Sequence, residues 1–296
     1  MQKSVVFCRK MWYDIVVWVC VAIYMAHEKR RERNMIYDLQ KASFWKRASA
    51  FLFDLVIMIM VVVGIAALMS TLMHYDTHIE IIQTKKAEHI AAAEAAFEQE
   101  HGISCKLDLS LGYEQMSEEQ KEIYNKADEM LSKDPDVQTA TFLLLNYSLV
   151  ICLVSTFVAY AVLEFAVPMI FKNGQTLGKK LFSIGVIRTN TVKATPFVLF
   201  VRMLFGKYTI ETVLPLFVVI MMFFGLVGIV GPVVIFGLLL LEVIAVLATR
   251  TRSPLHDLVS DTCVVDLSTQ MVFESEQALL AYKKKIHEEN VANAPY

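Results

Sequence analysis

The chain has 296 residues, of which 56% are hydrophobic and 20% charged, and its formal net charge is −2. Its mean hydropathy is +0.48. The charges gather between long apolar blocks, a pattern foreign to a soluble enzyme with one ordinary core and to a disordered chain. That leaves an integral membrane protein.

The first apolar stretch, 11–26, is short, contains Asp14, and is flanked by Arg9-Lys10 and by the charged run 27–33. It reads as a short span, a surface helix or an extension upstream of Met35. A spanning helix needs about 20 mostly apolar residues. The first block of that length covers 48–73, with Asp54 as its one charge, and the second covers 140–171, with Glu164. The third apolar block, 208–249, is too long for one helix. Gly225, Gly228, Gly231 and Pro232 break it into spans at 209–227 and 232–249, the latter holding Glu242. The sequence therefore predicts an all-α polytopic bundle with four transmembrane helices, and a fifth only if 11–26 spans.

Between the first two spans, Ile79, Ile82, Ala87, Ile90 and Phe97 recur at roughly helical spacing. Ser117-Glu-Glu-Gln120 is a capping-box pattern that opens a second helix, and Pro135 stops it. Residues 74–139 are thus an extracytoplasmic helical hairpin. His74 and His78, with Asp76 and Glu80, offer metal-ligand types, but no third strong ligand is placed beside them, so no metal is expected. The stretch 193–207 is apolar, too short to span, and studded with Lys193, Arg202 and Lys207, which suits a cytoplasmic interfacial helix. The divisions are 1–40, 41–73, 74–139, 140–267, and a C-terminal tail at 268–296.

Lysine and arginine set the orientation. Residues 28–47 and 172–207 hold seven basic side chains each, whereas 74–139 holds six against fifteen acids. The first two regions are expected in the cytoplasm and 74–139 outside, with both termini cytoplasmic. None of the five cysteines lies near another in the chain, so they define neither a staple nor a metal site.

Three segments carry a family resemblance. One is Trp45-Lys-Arg-Ala-Ser-Ala-Phe-Leu-Phe-Asp54, the second Gly174-Gln-Thr-Leu-Gly-Lys-Lys180, and the third His256-Asp-Leu-Val-Ser-Asp-Thr-Cys-Val-Val265. In this order they resemble the RDD family of membrane proteins, named for one arginine and two aspartates. The resemblance puts these on Arg47, Asp54 and Asp257, and the remaining motif positions on Thr176, Gly178, Lys179 and Thr262. Family members commonly have a small pair before that threonine, where this chain has Ser260-Asp261. The resemblance implies a multi-span inner-membrane protein. Some members are sodium/proton antiporters and others look like accessory or assembly proteins.

Asp54, Glu164 and Glu242 each lie seven or eight residues from a basic residue at the cytoplasmic end of their helix. That places three carboxylates in one layer, roughly 10–12 Å deep at about 1.5 Å per residue. They are the candidate ion-binding residues for a proton or monovalent cation. The alternative is that the acids hold basic partners such as Arg47 and Arg202 and lock the bundle. Glu211, near the start of its span, is expected at the interface. The segment 174–180 lacks phosphate-loop spacing, and no nucleophile stands in a catalytic frame. Neither an enzyme, a cofactor nor nucleic-acid binding is expected; the partners are the bilayer and a second copy of the chain.

Overall fold

The computed structural model describes residues 39–292. Residues from Lys41 onward form one compact unit. The stretch 11–26 lies outside the described residues.

Helix α1 spans Phe44–Leu72, and the Ser43 hydroxyl accepts the Lys46 amide at its start. Its 29 residues exceed what the hydrocarbon requires. Ala50 is its one buried residue; side chains such as Leu52, Val63 and Leu68 are free to meet lipid.

His74, with φ of 52°, turns the chain directly into α2, Tyr75–His101. Helix α3, Glu118–Lys133, opens on the expected capping box between Ser117 and Gln120. Asp134 ends α3, and its carboxylate accepts the Asp136 amide to start α4. Pro135 occupies the first turn of α4, where its missing N–H costs nothing. Ala93 and Phe97 meet Ile123 and Ala127 in a small core with Cys105 packed against it. Three contacts run α2 alongside α4. The Tyr75 hydroxyl meets the Ser148 hydroxyl at 2.9 Å, the His78 ring meets Tyr147 edge-on, and His89 Nε2 lies 2.9 Å from Asp134 Oδ2.

Helix α4 runs over Pro135–Ile170. After it come α5 (Leu177–Leu181), β1 (Ile184–Arg188), α6 (Pro196–Phe223) and α7 (Val230–Ala248). The chain continues through α8 (Leu255–Val259), β2 (Thr262–Asp266) and α9 (Glu276–Ala292). Among the described residues, four helices, α1, α4, α6 and α7, are long and apolar enough to cross a membrane. The all-α bundle expected from the sequence is thus present. Its turn between α6 and α7 uses Gly225 and Gly228, both at positive φ.

Two features differ from expectation. Strands β1 and β2 form an antiparallel pair from Ile184↔Asp266 to Arg188↔Thr262, and Lys41 bridges to Val265 beside them. Ile184, Val186 and Val264 pack with Ala42, Ala50 and Leu199, and Phe165 covers the cluster. The sheet therefore shares its core with α1, α4 and α6. The segment 193–207 is helical from Pro196, as expected, but runs unbroken into the third span instead of forming a separate element. Arg202 and Lys207 read as interfacial in the sequence, yet buried acids neutralise them, so the helix need not end there.

Phe97→Ala should open the core between α2 and α3 and cost about 3–5 kcal/mol there. Cys105 packs on that core, so its rate of modification by a thiol reagent should rise in the variant; an unchanged rate would place Cys105 elsewhere.

Candidate functional site

The site is built on two stretches of widened helix. Residues Arg202–Val213 of α6 and Ala161–Ala166 of α4 are π-helical, with bonding to the fifth residue. The Thr209 hydroxyl donates to the Leu204 carbonyl, and Thr212 to Lys207, at the same spacing. In an ordinary α-helix, residues five apart diverge by about 140°. Here Arg202, Lys207 and Thr212 turn together toward α4, and Gly206 and Glu211 turn together toward α8.

Glu164 is 5% exposed and sits on the π turn of α4. Its Oε1 accepts the Lys207 ammonium. Its Oε2 lies 3.4 Å from Arg202 Nη1 and 3.7 Å from Lys179 Nζ. Arg202 then donates from Nε to Asp257 Oδ1 at 2.7 Å, and the Thr262 hydroxyl donates to the same oxygen at 3.0 Å. One guanidinium thus joins α4, α6 and α8. Above Glu164, the Tyr160 hydroxyl meets Thr212 at 3.0 Å.

Asp54 has its own partners. It accepts the Thr176 hydroxyl and, at 2.7 Å, the Gly178 amide. These bonds pull α5 onto α1 so tightly that a Cβ on Gly178 would lie 2.4 Å from the Ala50 carbonyl oxygen. Gly206 does the same for α8, where an added Cβ would lie 2.5 Å from His256 Cβ.

Burial alone would raise the Asp257 pKa, but the adjoining Arg202 guanidinium, helped by His256 and Lys179, holds it well below the carboxylate range. Burial pushes Lys179 down to about 8, only partly countered by Glu164. His256 is lowered, chiefly by burial. At the sheet edge, hydrogen bonds from Lys46 and Ser268 hold Asp266 down to about 2.

Glu211, Glu242 and His256 form a second cluster, their ligand atoms all within 4.8 Å of one another. His256 Nδ1 lies 2.5 Å from Glu211 Oε1. Both oxygens of Glu242 receive the Leu255 amide, at 3.3 and 3.4 Å.

Asp54, Glu164 and Glu242, expected as one acid layer, therefore have separate partner sets. Among the described residues, Arg47 makes no ion pair with Asp54; its Nη1 donates to the Arg252 carbonyl at 2.9 Å. Two α-helical turns separate Arg47 from Asp54, and α5 supplies nearer donors. Glu211 is not at a span end, because α6 starts at Pro196, and its partner is His256. The π spacing that groups Arg202 with Lys207 has no signature in a 3.6-residue reading. Asp261, where a small residue was expected, adopts φ of 51°, and its Oδ1 accepts the Thr189 hydroxyl at 2.6 Å. His74, His78, Asp76 and Glu80 do not form a ligand group; among the described residues that grouping forms at Glu211, Glu242 and His256.

Four apolar helices around buried ion pairs, with a small sheet closing one end, define a polytopic helical membrane protein. The RDD family model matches residues 41–261, about three quarters of the chain. The chain belongs to the RDD family. No curated protein and no solved structure matched it. Within the family motifs, Asp54 joins Thr176 and Gly178, and Asp257 joins Thr262.

Glu164→Gln should leave Lys179 and Lys207 without their counter-charge and Arg202 with Asp257 alone, and cost about 3–5 kcal/mol, read as a lower Tm in detergent. Lys179→Met removes a base whose burial already opposes its charge, so its loss in Tm should be much smaller. Equal losses would mean that the two groups do not differ in this way.

Gly178→Ala drives a methyl into the Ala50 carbonyl. It should lower Tm, whereas Gly112→Ala, which meets nothing within 4 Å, should not.

Proposed function

We propose that the protein is a non-enzymatic scaffold of the cell membrane, whose spans hold a small cytoplasmic module in fixed register and project a helical hairpin on the opposite side. The observation that carries this reading is that the carboxylates on these helices are already held by donors. Asp54, Glu164 and Asp257 are each engaged by donors from another element. Breaking such pairs costs several kcal/mol, so they hold helices and do not readily open to a passing ion. The cytoplasmic placement of α5, β1, β2 and α9 rests on the lysine and arginine bias, as does the extracytoplasmic placement of α2 and α3. The bilayer is the first partner, and a second copy of the chain is a natural further one.

A transport reading would use Asp54, Glu164 and Glu242 to bind a proton or monovalent cation. It requires Asp54 and Glu164 to give up their present donors at each cycle. Two measurements separate the readings. Purified protein in proteoliposomes should show no sodium- or pH-driven flux above empty vesicles; flux that is lost in Asp54→Asn would replace the scaffold reading with transport. On a cysteine-free background, an impermeant thiol reagent applied to intact cells should label Ser110→Cys and spare Thr269→Cys, both exposed positions. The reverse pattern would invert the orientation.

A further inference from the structure

We propose that Glu211, Glu242 and His256 form a binding site for one divalent first-row transition-metal ion, which fastens α8 to α6 and α7. Each ligand comes from a different element: Glu211 from α6, Glu242 from α7 and His256 from α8. Two carboxylates with one imidazole are a common ligand set for Zn²⁺ and Mn²⁺. Two ligand atoms about 2.1 Å from a shared ion stand at most about 4.2 Å apart. The present separations, all within 4.8 Å, need only a small closing movement. The 2.5 Å contact between His256 Nδ1 and Glu211 Oε1 would instead widen to about 3.4 Å as a tetrahedral ion enters between them. A metal at Nδ1 takes the place of the bridging proton, which leaves to solvent.

The surroundings support ligation. His256 Nε2 faces Asp257 Oδ1 at 3.6 Å, the outer carboxylate that commonly orients a metal-bound imidazole. Asp257 is 1% exposed, and the bonds that its Oδ1 accepts from Arg202 and Thr262 hold the carboxylate beside the ring; among the described residues its Oδ2 has no hydrogen-bond partner. Gly206 lets the His256 backbone press against α6, which fixes the ring opposite Glu211. The Leu255 amide holds the Glu242 carboxylate. The side chains of Glu211 and His256 are 28% and 12% exposed, enough for an ion to enter. Charge favours a divalent over a monovalent ion: two carboxylates and a neutral imidazole carry −2, and among the described residues neither Glu211 nor Glu242 is in an ion pair with lysine or arginine.

The test uses the full chain in detergent, stripped with a chelator and titrated with Mn²⁺. Free ion is followed by its paramagnetic resonance. One ion should bind per chain, Zn²⁺ should displace it, and excess Na⁺ should not. The bound Mn²⁺ should show the nuclear modulation of an imidazole nitrogen. Glu242→Gln and Glu211→Gln, which keep side-chain shape, should each weaken binding by about tenfold or more. Absent binding, displacement by Na⁺, or bound Mn²⁺ without a nitrogen signature would each overturn the site, whether or not the variants fold. The outcome is independent of ion flux, so failure here leaves the scaffold reading standing.

Discussion

Arg202 is the side chain on which the rest of the bundle depends. It is 3% exposed, sits in a helix of membrane-spanning length, and reaches Glu164 and Asp257 at once. A lone guanidinium in such a place is costly, and it persists because two carboxylates from other elements meet it. Those carboxylates are in turn fixed, Glu164 by Lys207 and Lys179, and Asp257 by Thr262. The widened turn of α6 makes this possible, because it aligns Arg202 with Lys207 on one face. Charge, helix geometry and the docking of the small sheet are therefore one problem with one solution.

The sheet is held by a similar device at its other edge. Lys46 at the start of α1 donates to Asp266 at the end of β2 at 2.6 Å. The Asp54 bonds to Thr176 and Gly178 add a second attachment, about two helix turns further along α1. Apolar contact among Ala50, Ile184, Leu199 and Val264 fills the space between them. The polar groups set register and the apolar groups fill it, as in other cores where buried charge is paired.

Much of this was legible in the sequence. The four spans followed from apolar length, and the helical hairpin between the first two from Ser117, Gln120 and Pro135, because these signals are local. The motif order pointed to Asp54, Thr176, Gly178 and Asp257. The partners were not legible. Arg47 sits two turns from Asp54 in the chain, yet Thr176, more than a hundred residues away, holds that carboxylate. Glu211 looked interfacial because its span was read as starting at 209, after a separate interfacial segment that held Arg202 and Lys207. That inference assumed exposed charges, and burial with Glu164 removed the assumption. The π turns and the strand pair arise from tertiary contact, which no window of neighbouring residues encodes.

The sequence separation of the Arg202 pair has a consequence for biosynthesis. Asp257 lies 55 residues after Arg202. At about 5–20 residues per second, the ribosome needs about 3–11 s to cover that distance. During the interval α6 has been made with Arg202 and Lys207, and Glu164 is the one member of the network's acid pair already present. The nascent helix therefore waits half-neutralised at the membrane, and its final depth is settled only when α8 is delivered. Assembly of this bundle is completed from its carboxyl-terminal end, by the same residues that close the sheet.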